Sequence, residues 1–187
     1  APASRYDEIV DALASMAKGI KVGNSLEADT QIGPLASYEH RQRVERYIEI
    51  GKGEARLVAG GGRPKGLDRG WFVEPTIFAD VSNEATIARE EIFGPVLSII
   101  KYQNDEEAVK IANDSEFGLG GTVWSADGAR AQEIARRVQT GTIGVNGYVI
   151  DLAAPFGGIK SSGLGRELGP ESLASYQQIQ SIYLPAG

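Results

Sequence analysis

The chain has 187 residues, 42% hydrophobic and 24% charged, which is the balance of a soluble globular protein long enough to bury a substantial core. Its net charge of −6 argues against nonspecific nucleic-acid binding and against adhesion to anionic membranes. The lack of cysteine excludes disulfides and thiolate metal sites, and no apolar run approaches a membrane span. Residues 1–20 carry no signal-peptide pattern, so a cytoplasmic location is expected.

Residues 4–18 read as an amphipathic helix. Ser4 is placed to cap it, Asp7 and Glu8 favour its first turn, and Gly19 stops it. Tyr6, Ile9, Leu13 and Met16 share one face at helical spacing. Residues 23–36 form an irregular loop. A second helix spans residues 37–52, capped by Ser37, with Val44, Tyr47 and Ile48 turned inward. Arg56–Ala59 is a short strand before the Gly60-Gly61-Gly62 turn. Trp71–Phe78 is strand-like, and Pro75 makes it an edge or a bend.

From residue 96 strands and helices alternate. Val96–Ile100 is an apolar, β-branched run, residues 105–114 a helix, Gly121–Ser125 a strand. Asp127 caps a helix carrying Ala131, Ile134, Ala135 and Val138, and Thr142–Asn146 is a further strand. This order predicts an α/β fold, a parallel sheet with flanking helices. Strands buried on both faces should be apolar throughout, as Val96–Ile100 is. Pro170 opens a short helix to Tyr176, and residues 179–184 read as a last strand.

Two segments could carry chemistry. In Arg89-Glu90-Glu91-Ile92-Phe93-Gly94-Pro95-Val96 two acids and a ring sit at a helix end, which Gly94 and Pro95 then stop. An ionised carboxylate accepts from both hydroxyls of a sugar diol, and a ring packs on a flat heterocycle. The plainer reading is a helix C-terminus with solvated glutamates. Glu90 is the weaker candidate, a solvated or backbone-pairing acid. The second segment is Pro155-Phe156-Gly157-Gly158-Ile159-Lys160-Ser161-Ser162-Gly163-Leu164-Gly165-Arg166-Glu167. There Phe156 is either a core plug or the wall of an apolar pocket, and Arg166 and Glu167 could form an ion pair. His40, the only histidine, reads as a solvated residue on a polar helix face. It lacks partners for a triad or a zinc site. Asn113-Asp114-Ser115 matches a glycosylation sequon by coincidence.

Both segments resemble signatures of the NAD(P)-dependent aldehyde dehydrogenase family, in the family's order, and the resemblance covers essentially the whole chain. It implies an aldehyde dehydrogenase catalytic-domain-like fold over residues 1–177 and an oligomerisation strand over 178–187. Glu91 would bind the ribose of NAD or NADP and Phe93 would contact the nicotinamide. Tyr148, Ile150, Leu152 and Phe156 would shape the pocket for a small-molecule aldehyde. Glu167 would belong to a proton path, and main-chain carbonyls near Lys160 and Gly163 would resemble a monovalent-cation site. Asp151 would be a solvent-side acid, though it could select a cationic substrate. The family's nucleophile is a cysteine, which this sequence lacks, and its glutamate base lies further upstream. The chain therefore looks like the C-terminal portion of such an enzyme, inactive without the remainder of the same polypeptide. The whole would form a homodimer or homotetramer, bind neither nucleic acid nor membrane, and oxidise an aldehyde through a cysteine thioester. The same signatures permit semialdehyde, phosphorylated-substrate and CoA-acylating relatives, or a noncatalytic assembly module.

Overall fold

The structure, a computed structural model, describes residues 1–185. They fall into two compact units, Ala1–Glu107 and Ala108–Gly187. Among the described residues no helix is long and apolar enough to cross a membrane.

In the first unit a 3₁₀ turn (Ala3–Arg5) leads into α1 (Tyr6–Gly19), and Ser37 caps α2 (Tyr38–Glu54) by accepting from His40 N–H. Ser4 lies inside the 3₁₀ turn, so it does not cap α1. Three strands follow: β1 (Arg56–Ala59), β2 (Thr76–Ala79) and, after the one-turn helix α3 (Thr86–Arg89), β3 (Val96–Ser98). Their order is β1-β2-β3, with β1 antiparallel and β3 parallel to β2. The expectation of an edge strand near Pro75 is therefore corrected. Pro75 lies just before β2, where a missing N–H breaks no ladder, and β2 itself is central.

Alternation along β2 explains its composition. Ile77 and Ala79 pack with Tyr6, Val10, Ala14 and Ala17 of α1, while Phe78 packs with Val44 and Ile48 of α2. A strand covered by a helix on each face is apolar on both sides, and the one polar residue of β2, buried Thr76, is satisfied by donating to Glu74 O and accepting from Gly61 N–H. The buried stripe of α1 is thus Tyr6, Val10, Ala14 and Ala17, not the predicted Tyr6, Ile9, Leu13 and Met16; Met16 is 57% exposed. Small alanines let α1 lie close to the sheet, and the bulkier side chains flank the contact. Tyr6 locks this layer: its hydroxyl accepts from Asp80 N–H at 2.5 Å and donates to Ile99 O at 3.0 Å. Burial pushes its phenol pKa up.

The unit boundary falls within α4 (Asp105–Asn113). Beyond it, β4 (Phe117–Gly118) precedes β5 (Gly120–Val123), α5 (Gly128–Arg137) and β6 (Thr142–Val145). The β5-α5-β6 passage is the expected unit of two parallel strands joined by a helix. Asp127 caps α5 by accepting from Ala129 and Arg130 N–H. Among the described residues β3 pairs with β2 and β5 with β6, both in parallel, so each unit carries the parallel pairing with flanking helices expected of the α/β fold. Strand β3 is not buried on both faces, since Leu97 is 42% exposed. Strand β7 (Ile159–Lys160) pairs antiparallel with β4. Residues Pro170–Tyr176 form a 3₁₀ helix, and residues 177–185 form neither helix nor strand within this chain. The predicted strand over 179–184 finds no partner here, while Ala186 and Gly187 lie outside the described residues.

Candidate functional site

The first signature segment is built on α2. Helix α3 ends at Arg89, so Glu90 and Glu91 lie past the helix rather than in its last turn. The left-handed residue that turns the chain is Phe93, with φ +59°, and not Gly94. Gly94 is required for a different reason. A Cβ there would fall 2.7 and 2.8 Å from the two methyls of buried Val44, so glycine lets the loop press against α2.

Three side chains of α2 then grip this loop. Tyr47 donates its hydroxyl to Glu90 Oε2 at 2.7 Å, Arg43 donates to the Glu91 carbonyl, and His40 Nε2 bonds the Phe93 carbonyl at 2.5 Å. At the far end of α2, Glu54 accepts from Thr86 Oγ1 at 2.6 Å and from Ile87 N–H at 3.3 Å, which caps α3 from outside. The Thr86 hydrogen bond lowers the Glu54 pKa. Glu90 is exposed, as a solvated acid would be, but its partner is the Tyr47 side chain and not the backbone.

Glu91 is left with its carboxylate exposed and, among the described residues, without a side-chain partner, while the Phe93 ring is 69% exposed. Both line an open cleft of about 320 Å3, with Ile87, Ile92, Val96 and Ile100 supplying apolar wall. A two-oxygen acceptor and an outward ring are thus presented side by side. His40, half-buried and bonded, is not the solvated residue its polar neighbours suggest. His40, Arg43, Tyr47 and Glu54 recur at spacings of three, four and seven, a helical stripe that could have flagged them.

The second signature segment lies in the second unit. Gly141 is indispensable: a Cβ there would fall 1.7 Å from Gly157 O, so this glycine admits the loop against the entry to β6. Phe156 and Glu167 exchange two backbone hydrogen bonds of 2.7 Å, which closes the intervening residues into a loop. Arg166 spans that loop by donating to Gly158 O at 2.7 Å and Gly165 O at 2.6 Å, so it does not pair with Glu167. The Glu167 side chain is exposed, whereas a proton relay needs a buried one. Lys160 adopts φ +55° and donates Nζ to Asn113 O at 2.8 Å and Ser115 O at 3.0 Å. Its own carbonyl accepts from Gly163 N–H at 3.3 Å. The Asn113 side chain bonds Arg137 O and Gln139 N–H, a structural role that fits the coincidental reading of the sequon.

Besides a cleft of about 410 Å3 bordered by Arg166 and Glu167, half-buried Phe156 lines two adjoining clefts of about 290 and 470 Å3, which favours a wall over a core plug. Tyr148 and Ile150 line both clefts as well, and the Tyr148 hydroxyl is engaged by Thr142 Oγ1 at 2.5 Å. Leu152 is 75% exposed and borders neither cleft. Asp151 is exposed, and its Oδ1 accepts from Ala153 N–H at 2.9 Å, which folds it into its own turn.

The Aldehyde dehydrogenase family profile matches residues 1–182, and the chain belongs to this family. Over 184 residues it is 65% identical to the geranial dehydrogenase of Castellaniella defragrans, covering 98% of this chain and 38% of that protein. It is 45% identical to the betaine aldehyde dehydrogenase of Brucella anthropi, covering 97% of this chain and 38% of that one. A crystal structure of Mycobacterium tuberculosis aldehyde dehydrogenase complexed with NAD+ superposes with a TM-score of 0.96 at 53% identity, covering 100% of this chain and 39% of that one. The chain thus spans less than two fifths of the relatives it matches.

The packing of Gly94 on Val44 predicts a non-additive double variant. Gly94→Ala should destabilise the protein by about 1–3 kcal/mol through overpacking. Combined with Val44→Ala, which opens space at that contact, the loss should be smaller than the sum of the single losses. Strictly additive losses in denaturant unfolding would contradict the contact.

Proposed function

We propose that the enzyme carrying this chain oxidises an aldehyde to a carboxylic acid with NAD(P)+, through a thioester on a cysteine outside this sequence. The observation that carries the proposal is the exposed, unpartnered Glu91 carboxylate beside the outward Phe93 ring, on the segment the family signature predicts. NAD(P)+ supplies the hydride acceptor. Glu91 accepts from the ribose hydroxyls, and Phe93 limits how far the nicotinamide ring can rotate. NAD+ is the favoured form, because the similar Mycobacterium tuberculosis structure is a complex with NAD+. Glu167 as a proton carrier, which requires the remainder of the polypeptide to bury a carboxylate exposed in this chain, and a main-chain cation site at Lys160 and Gly163 belong to the same proposal as subsidiary roles.

The substrate we propose is an uncharged, apolar aldehyde. Tyr148, Ile150 and Phe156 form the cleft walls with Leu119, Gly120, Gly121 and Thr122, and no basic residue lines either cleft. A phosphorylated or CoA-linked substrate would need cations there. Asp151, the one acid beside them, already caps its own turn, which weakens the case for a cationic substrate. Geranial, in the name of a 65% identical relative, is such an apolar aldehyde. Leu152, which borders neither cleft in this chain, would reach the pocket only in the intact enzyme. Residues 1–177 would belong to the catalytic domain. Residues 178–187 would pair across a homodimer or homotetramer, which accounts for Ile179, Ile182, Tyr183 and Leu184 being 78–97% exposed in one chain.

The intact enzyme should form NAD(P)H from apolar aldehydes with higher kcat/KM than from cationic ones, and the 187-residue chain alone should form none. NAD(P)H production by the purified chain would refute the division of labour. Glu91→Gln in the intact enzyme turns one acceptor oxygen into a donor. Losing about 1.5–3 kcal/mol of charge-assisted bonding should slow hydride transfer roughly 10- to 150-fold, and unchanged transfer would reduce Glu91 to a surface acid. Phe156→Ala should shift preference towards bulkier aldehydes. A fall in melting temperature with an unaltered substrate profile would instead make Phe156 a packing residue.

A further inference from the structure

Phe93 is a bulky residue held in the left-handed region at φ +59°, with its ring 69% exposed. Such a conformation is strained and persists only where the surroundings impose it. Burial of the ring does not impose it here. The contacts that do act on the backbone come from one helix. His40 Nε2 bonds the Phe93 carbonyl, Arg43 donates to the Glu91 carbonyl, and Val44 abuts Gly94. At about 100° per residue, His40, Arg43, Tyr47 and Glu54 leave α2 within about 60° of one another. They meet the chain in reverse order, from Thr86 and Ile87 through Glu90 and Glu91 to Phe93.

We infer that His40 is a positioning residue: by donating Nε2–H to the Phe93 carbonyl it holds the Glu91–Phe93 pair in its cofactor-ready backbone conformation. The inference rests on the proposed role of Glu91 and Phe93. The carbonyl can only accept, so the proton must reside on Nε2, whatever the state of Nδ1. The side chain acts through the main chain of Phe93, and its ring also lies against the Phe93 ring at a centroid distance of 6.2 Å, a contact that glutamine would not restore. Arg43 anchors the preceding carbonyl, so the backbone is fixed on both sides of Ile92. Without the His40 bond the Phe93 peptide can leave the left-handed region, and Glu91 and the ring then no longer share one geometry.

The test uses the intact enzyme and three variants. His40→Met keeps length but has no donor, His40→Gln keeps a donor of similar reach, and Glu91→Gln probes the clamp itself. The readouts are NAD+ affinity by protein-fluorescence quenching, melting temperature, and amide hydrogen exchange of residues 90–95 in the cofactor-free enzyme. His40→Met should weaken NAD+ binding about three- to tenfold and speed exchange in that segment, with the melting temperature nearly unchanged. His40→Gln should recover most of both. If His40→Met is silent while Glu91→Gln weakens binding, the inference fails and the proposed function stands. If both are silent, the clamp reading fails as well. An equal fall in melting temperature in both His40 variants, with no recovery of affinity by glutamine, would make His40 a stability residue and overturn the inference.

Discussion

An aromatic residue with a positive φ cannot hold that conformation alone, and the cleft lined by Glu91 and Phe93 depends on Phe93 doing so. The constraint comes from α2. Gly94 lets the loop touch Val44 where a Cβ would fall 2.7 Å from a methyl, and the carbonyls of Glu91 and Phe93, on either side of Ile92, are claimed by Arg43 and His40. α2 is itself fixed, because Val44 and Ile48 pack under Phe78, the β2 residue that faces them. A chain of contacts thus runs from the centre of the three-stranded sheet, through one helix, to an exposed carboxylate and ring. Each contact is ordinary in strength. Their effect is to remove alternatives for six residues that have no helix or strand of their own.

The second unit solves a similar problem with fewer buried side chains. Ala131 and Ala135 seat α5 on β5 and β6, and little else there is fully buried. The glycine-rich loop is ordered by backbone instead: the double bond between Phe156 and Glu167, the Arg166 guanidinium on two carbonyls, and the Lys160 ammonium on two more. With both cations held on backbone carbonyls, the two clefts lined by Tyr148 and Ile150 contain no basic residue. Phe156 and Tyr148 can then act as walls, since the polar end of Tyr148 is already satisfied by Thr142.

Much of this was legible in the sequence. Ser37 and Asp127 announce their helices by side chains that accept backbone N–H groups, and both do so. The β5-α5-β6 passage follows from its spacing, and Glu91 and Phe93 stand out on their octapeptide. What periodicity missed has physical causes. Periodicity points to the larger apolar residues of α1, whereas close helix-on-sheet packing selects Ala14 and Ala17. Strand pairing was invisible because β3 is claimed by β2, a partner earlier in the chain that flanking turns do not reveal. His40 looked solvated because its partner is a main-chain carbonyl 53 residues away, and a carbonyl has no residue type to read.

The most direct test is a crystal structure of the intact enzyme with NAD+. The account predicts both Glu91 carboxylate oxygens about 2.5–3.0 Å from ribose hydroxyls, with Phe93 still at positive φ and its carbonyl still bonded to His40. A bound NAD+ whose ribose lies away from Glu91, or a Phe93 that has relaxed to negative φ with cofactor in place, would contradict it.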